Sequence, residues 1–452
     1  MTASTPASSV HTVEHLLFFT LLQIAIIIVV ARIAGYLARK IGQPRAVGEI
    51  VAGLILGPSL FGALAPEAFT WVFKSTESAP ITIMSQIGLI MLMFQIGLEF
   101  DFSQLREGRN RNAVLLITTM GILAPFSLGI AFGTASVETL APGINAAGYT
   151  LFMATAFAIT AVPILGRIMM EYDLVRTRIG AITITSAAIN DAVGWIVLAV
   201  VAAIVTAKFS WPEVLTRLGS LLLYVAVSWF VVRKILLVIV RRFDRVGWAL
   251  PTVNEPTEGA AGGHCPPCGA LSQDLMAILL VIIFSSAMLT SKLGIFAIFG
   301  GFMMGVLLHD QFDLVEQWRA KVADLVTVLF LPIFFTFTGL RTNVGGLASG
   351  ELWAWCGALI ALAVLGKFGG CYLASRLAGL TKPESRNVAI MMNTRALMEL
   401  IVVNLGYDLG VIPQNVFTML VLMAIASTIM TAPGLRAWLP GMGHAIPVGK
   451  DA

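Results

Sequence analysis

The sequence predicts an all-α integral membrane protein, and composition is the first observation that indicates this class. Of its 452 residues, 58% are hydrophobic and only 12% are charged, whereas soluble globular proteins carry about 25% charged residues. The apolar residues form long runs, most of them close to the roughly 20 residues that a helix needs to cross a bilayer. Since a helix satisfies its backbone hydrogen bonds internally, these runs indicate a bundle of transmembrane helices.

Thirteen apolar runs are candidate transmembrane helices, although the ninth is short. They cover residues 15–36, 46–63, 81–98, 113–135, 144–170, 179–207, 216–240, 272–291, 294–309, 323–340, 352–375, 384–406 and 412–432. We therefore expect about 13 helices joined by short loops.

The distribution of Lys and Arg among the loops predicts the orientation of the chain. Numbered in order, the odd loops hold 18 of these residues and the even loops hold 5. Cytoplasmic loops are enriched in Lys and Arg. We therefore expect a protein of the bacterial inner (plasma) membrane with its N-terminus outside and its C-terminus in the cytoplasm.

The first 31 residues contain no Lys or Arg. A signal peptide begins with a basic segment, so the first run is predicted to stay as a span.

The chain is predicted to contain two similar halves. The expected regions are a periplasmic tail (1–14), a first repeat with a linker helix (15–240), a Pro- and Gly-rich cytosolic loop (241–271), a second repeat (272–435) and a cytosolic tail (436–452). Residues 91–101 resemble 332–343 at an offset of 242, and 53–57 resemble 301–305 at an offset of 248. Seven spans separate equivalent helices, so the repeats are expected to be inverted, as in many secondary transporters.

One acidic residue stands inside the sixth span. Asp191 is the only charged residue between Gly180 and Val205, which places it near the middle of the membrane. Inserting a charge there costs roughly 2.5–3.5 kcal/mol on translocon scales, and such residues are usually functional. The adjacent Asn190 can form hydrogen bonds without adding charge.

Four further charged residues are candidates for burial in the membrane. They are Glu49 near the start of the second span, Lys367 in the eleventh, and Arg395 and Glu399 in the twelfth. One interpretation is that they pair with one another and only hold helices together. The other is that they take part in function, as intramembrane charges usually do.

Two spans carry features that interrupt a helix. Pro163 lies inside the fifth span with Thr155 and Thr160 nearby, and the polar residues Asn393 and Thr394 lie in the middle of the twelfth. Proline removes an amide donor, and broken helices in transporters offer carbonyls and helix ends to ions. A simple proline kink and a polar helix contact are the alternative.

Several motifs resemble those of the monovalent cation:proton antiporter superfamily, in the branch with bacterial sodium–proton antiporters, Kef-type potassium antiporters and plant cation–proton exchangers. They are GEIVAGLILGPSLFG, FQIGLEFD, TAFAITAVPILGRI, AAINDAVGW, LPIFFTFTGL and MNTRALMELIV, and the similarity spans about residues 15–435. The resemblance implies a core domain with two crossing broken helices, a dimerisation domain and a homodimer in the lipid membrane. It also implies exchange of Na⁺ or K⁺ for H⁺ by alternating access, with no enzymatic activity and no cofactor.

The resemblance also implies roles for individual residues. Asp191 is expected to bind the monovalent cation or the proton together with Asn190 and Thr160. Lys367, Arg395 and Glu399 are expected to be charge partners in the core domain. The expected broken-helix residues are Thr155, Pro163, Asn393 and Thr394. Members that move net charge usually carry two adjacent aspartates, so Asn190 implies electroneutral one-for-one exchange. Lys367 belongs to both patterns, and the alternative is that it releases a second proton when the cation binds.

Other function classes fit the charged residues less well. An intramembrane aspartyl protease needs two aspartates that share a proton, and only Asp191 qualifies. A cation channel is built from rings of carbonyls or acids, which a lone acid opposite a lysine does not provide. A non-transporting sensor that keeps the antiporter fold is the third alternative.

A Cys-x-x-Cys pair, Cys265 and Cys268, follows His264 in the long loop. A structural zinc site needs four ligands, and no second pair follows. We expect a reduced, solvated pair in a linker, with metal or redox regulation as the alternative.

Overall fold

The computed structural model describes residues 6–75, 79–98, 111–174, 177–206, 211–247, 272–293 and 296–443. Within these ranges the chain is helical and contains no strand. The predicted all-α membrane class is therefore confirmed. The Cys265–Cys268 pair and most of the predicted loop 241–271 lie outside the described residues.

Twenty-one α-helices follow one another along these ranges. The first eleven are α1 (Pro6–Lys40), α2 (Arg45–Leu56), α3 (Phe61–Leu64), α4 (Pro66–Phe73), α5 (Ala79–Leu98), α6 (Arg111–Leu140), α7 (Ala146–Ala158), α8 (Val162–Glu171), α9 (Arg178–Thr206), α10 (Trp211–Val227) and α11 (Arg233–Gly247). The others are α12 (Gln273–Lys292), α13 (Ala297–Leu307), α14 (Phe312–Trp318), α15 (Leu331–Arg341), α16 (Gly350–Val364), α17 (Gly370–Leu377), α18 (Lys382–Met392), α19 (Ala396–Asp408), α20 (Gln414–Ile429) and α21 (Thr431–Trp438).

Eleven helical segments among the described residues are long and apolar enough to cross a membrane. The two other predicted spans, the fifth and the ninth, contain the shorter apolar helices Ala146–Ala158 and Ala297–Leu307. The count of thirteen spans stays a prediction. Several helices extend past the apolar runs: α1 begins at Pro6, before the expected start at residue 15, and α11 continues to Gly247. Helical hydrogen bonding can continue through polar residues after the apolar run has ended.

The chain divides into two compact units, each with residues from both predicted repeats. The first comprises Met1–Ser85, Phe102–Ser210 and Pro332–Ala452. The second comprises Gln86–Asp101 and Trp211–Leu331. The residues singled out by charge and by helix interruption all belong to the first unit.

Glycines allow α2 and α15 to pack backbone against backbone in the first unit. A Cβ atom on Gly53 would lie 2.2 Å from the carbonyl oxygen of Phe335, and one on Gly339 would lie 1.9 Å from that of Gly53. Small residues at such contacts are how membrane helices approach closely.

The same arrangement occurs between α5 and α13 in the second unit. A Cβ atom on Gly97 would lie 2.4 Å from the carbonyl oxygen of Phe302, and one on Gly305 would lie 2.1 Å from that of Phe94. The sequence repeat pairs α2 with α13 and α5 with α15, so it maps the α2–α15 contact onto the α13–α5 contact. This reciprocity supports the predicted internal repeat.

We expect Gly339→Ala to destabilise the protein, because the added Cβ would meet a backbone carbonyl that cannot rotate away. Overpacking of this kind costs about 1–3 kcal/mol, occasionally more. Gly357→Ala in α16 is the matched control, since a Cβ there meets nothing within 4 Å. Thermal melting in detergent by fluorescence-detected size exclusion measures both variants. Equal melting temperatures for the two would contradict the close α2–α15 contact.

Candidate functional site

The first helix break separates α7 from α8 at residues 159–161. α7 begins at the N-cap Asn145, whose side chain accepts from the Gly148 amide, and Pro163 occupies the first turn of α8. The missing amide of a proline is tolerated in the first turn of a helix. The break therefore precedes Pro163.

The second break separates α18 from α19 at residues 393–395. α18 starts with a capping box formed by Thr381 and Glu384. The break contains neither proline nor glycine, and Ala396, which follows it, has a φ of +35°. A positive φ is unfavourable for a residue with a Cβ, and the hydroxyl of Thr428 accepts from the Ala396 amide at 3.1 Å. Tertiary contacts therefore support this turn.

The two breaks touch each other. The amide of Ala161 donates to the carbonyl of Thr394 across 3.0 Å. The Thr394 hydroxyl lies 3.0 Å from that of Thr431. We call residues 159–161 and 393–395 together the crossing.

Asp191 lies beside the crossing on α9, with 3% of its surface exposed. The amide of Val162, at the start of α8, donates to its carboxylate. The positive end of the α8 dipole thus faces the acid. The Oδ1 atom of Asp191 has no hydrogen-bond partner among the described residues, and none of their basic groups lies within 4 Å of the carboxylate.

Lys367 is fully buried in a single turn of π-helix, Leu365–Gly369, between α16 and α17. Its ammonium donates to the carbonyls of Gly121 at 2.8 Å and Ala158 at 2.5 Å. With its amide oxygen facing the ammonium, Asn190 accepts from Lys367 at 3.2 Å and donates to the Thr118 carbonyl at 3.1 Å. Three neutral oxygens thus take the three donors of Lys367.

Arg395 and Glu399 form a buried ion pair, both with 0% exposure. Their closest nitrogen–oxygen distance is 3.7 Å. The guanidinium donates instead to the carbonyls of Ala156 at 2.9 Å and Ala363 at 3.1 Å. Arg395 thus binds the carbonyl end of α7, where the partial charge is negative.

The other predicted residues occupy different positions. Thr160 lies in the first break, fully buried, and its hydroxyl has no hydrogen-bond partner among the described residues. Asn393 and Thr394 lie in the second break. Thr155 lies inside α7, and its hydroxyl donates to the Leu151 carbonyl. It therefore belongs to the helix that precedes the break.

Sequence reasoning missed the carbonyl oxygens that hold Lys367 and Arg395, because any residue supplies a carbonyl. Gly121 gave one signal, as a glycine in the middle of a span. With the Asn190 amide oxygen facing Lys367, a Cβ at Gly121 would lie 3.0 Å from both that amide oxygen and the Cys371 sulfur. Its small size lets the groups around Lys367 approach α6.

A protein-family model described as "Sodium/hydrogen exchanger, transmembrane" matches residues 26–439. The chain belongs to the sodium/hydrogen exchanger family. This confirms the resemblance that the motifs predicted.

Two relatives and one solved structure show how far the similarity to other exchangers extends. The chain is 34% identical over 430 residues to the Na(+)/H(+) antiporter NhaS4 of a Synechocystis species, covering 95% of this chain and 99% of that one. It is 34% identical to Cation/H(+) antiporter 17 of Arabidopsis thaliana, covering 95% of this chain and 50% of the relative. The chain thus spans about half the length of the plant protein. The sodium proton antiporter MjNhaP1 of Methanocaldococcus jannaschii shares the fold, with a TM-score of 0.60, 15% identity and coverage of 96% and 100%.

Proposed function

We propose that this exchanger is a secondary active antiporter that moves a monovalent cation, Na⁺ or K⁺, against H⁺. The observation that carries the proposal is the buried Asp191 carboxylate beside the crossing, with one oxygen that has no hydrogen-bond partner in the described part of the chain. A carboxylate in this apolar setting is costly when it is charged and alone. Either a proton or a bare cation neutralises it, and Asp191 binds one of them at a time.

This competition couples the two fluxes. The binding site changes its exposure from one side of the membrane to the other when Asp191 carries a proton or a cation. It resists this change when Asp191 is charged and has neither bound. Each crossing with a cation is therefore matched by a return with a proton. Alternating access of this kind needs no enzymatic step and no cofactor.

The exchange is one cation for one proton. Asn190 stands where a second acid would add another titrating group, and it accepts from Lys367 instead. Lys367 keeps its proton because neutral oxygens hold all three of its donors. Asp191 is then the single group that exchanges its proton during the cycle.

The exchanger works in a lipid bilayer as a homodimer, with the N-terminus outside and the C-terminus in the cytoplasm of a bacterial inner membrane. The asymmetry of Lys and Arg between the loops supports this orientation.

The family and the names of the relatives support the exchange activity. The name of NhaS4 includes Na⁺, and the plant relative is named for cations in general.

Purified protein in liposomes with an internal pH dye tests the function. Addition of Na⁺ or K⁺ outside should drive protons out of liposomes that contain the protein, and Li⁺ and Rb⁺ complete the series. Protein-free liposomes are the control. Cation entry without proton movement would indicate a channel, and the absence of both movements would indicate a non-transporting sensor.

A further inference from the structure

Asn393 is buried at the second break, and its side chain forms no hydrogen bond with the described residues. It has 0% exposure, and neither its amide oxygen nor its amide nitrogen has a hydrogen-bond partner among the described residues. Buried polar side chains nearly always form hydrogen bonds, so each exception requires an explanation.

The position of Asn393 relates it to Asp191. Asn393 precedes Thr394, whose carbonyl accepts from Ala161 at 3.0 Å. Thr160 precedes Ala161, and the next amide along, that of Val162, donates to Asp191. Along these contacts, three side chains have an oxygen without a hydrogen-bond partner among the residues that the structure describes: Thr160, Asn393 and Asp191.

The end of α18 contributes a field at Asn393 that favours a cation. Asn393 is the C-cap of α18, and the carbonyl end of a helix carries partial negative charge. At the comparable end of α7, the carbonyls of Ala156 and Ala158 already accept from Arg395 and Lys367. Asn393 brings a further neutral oxygen to the crossing, and amide oxygens are suitable ligands for hard cations.

We propose that the amide oxygen of Asn393 contacts the cation bound at Asp191 and helps to determine which monovalent cation is carried. This inference rests on the proposed exchange function. A neutral ligand changes the size and number of oxygens around the cation while leaving the proton count at Asp191 unchanged. Asn393 is then a specificity-determining residue whose loss affects cation affinity before it affects turnover.

Replacement by leucine and by serine tests this role in the full-length protein. Asn393→Leu removes the oxygen and keeps the branching of the side chain, and Asn393→Ser keeps a shorter oxygen if the bulkier leucine prevents folding. Ser385→Ala is the matched control. Ser385 is also fully buried on α18, and its hydroxyl has no hydrogen-bond partner within the described ranges, but it lies eight residues before Asn393. Proton flux in liposomes gives KM and kcat for Li⁺, Na⁺, K⁺ and Rb⁺, and thermal melting in detergent gives cation binding without transport.

We expect Asn393→Leu to raise the KM of the preferred cation about tenfold, to change the order of preference and to reduce the melting shift caused by that cation. Asn393→Ser should fall between leucine and the wild type, and Ser385→Ala should keep the wild-type KM values and order. Unchanged KM values and order in both Asn393 variants would overturn the proposal, as would an equal fall in kcat for all cations at constant KM. Failure of the exchange function itself is distinguishable, because the wild type would then show no cation-driven proton flux.

Discussion

Replacing Asp191 with asparagine is expected to reduce cation-driven proton flux to the level of protein-free liposomes. The substitution keeps the shape of the side chain and removes the only group that we expect to release and rebind a proton during the cycle. It also removes a buried charge, so the folded protein should be at least as stable as the wild type. The flux assay with the internal pH dye measures the first effect, and thermal melting in detergent measures the second.

Asp313→Asn is the matched control for this variant. Asp313 lies in the first turn of α14 and is exposed, so the same chemical change there should leave the flux intact. If Asp191→Asn exchanged cations for protons at the wild-type rate, the carboxylate would not be the shared site.

Replacing Lys367 with methionine is the second change with a large expected effect. The carbonyls of Gly121 and Ala158 and the amide oxygen of Asn190 would lose their donor in the protein interior. Each acceptor left without a donor costs about 1–3 kcal/mol. The packing of α6, α7 and α9 around these oxygens would shift, and Asp191 would lose a nearby positive charge. We expect a lower melting temperature and at least a tenfold loss of exchange rate.

Two further variants serve as controls for the methionine substitution: Lys367→Arg and Lys292→Met. Arginine keeps the charge but presents a planar fork in place of three compact donors, so it should restore stability and exchange only in part. Lys292 lies at the exposed end of α12, and its replacement should change neither quantity. Wild-type melting and exchange in Lys367→Met would show that the three oxygens do not depend on the ammonium.

The sequence predicted the helices and the charged residues of the site because both signals are local. Long apolar runs placed the spans to within several residues, and Asp191 and Lys367 were conspicuous as charges inside such runs. The family and the all-α fold that followed from these signals are confirmed.

The contacts of those charged residues could not be predicted, because they depend on how helices that are distant in sequence pack against one another. The sequence suggested Lys367 as a charge partner in the core, whereas the structure has it bound by two carbonyls and an amide oxygen. Pro163 indicated an interrupted helix, but the interruption lies just before it, since proline suits a helix start. Thr155 was expected to belong to the broken helix, and it lies inside α7, where its hydroxyl donates to the Leu151 carbonyl.

The voltage dependence of the reversal point tests the central claim, one-for-one exchange at Asp191, most directly. Liposomes containing the wild-type protein are given opposing cation and proton gradients, and a gradient of a membrane-permeant anion sets the voltage without using Na⁺ or K⁺. One net charge moved across 100 mV is worth about 2.3 kcal/mol, which would shift the reversal ratio about fiftyfold. We predict that flux reverses when the cation and proton ratios are equal, at every voltage. A reversal point that moves with voltage would contradict one-for-one exchange and make a second group, Lys367 first, a proton carrier.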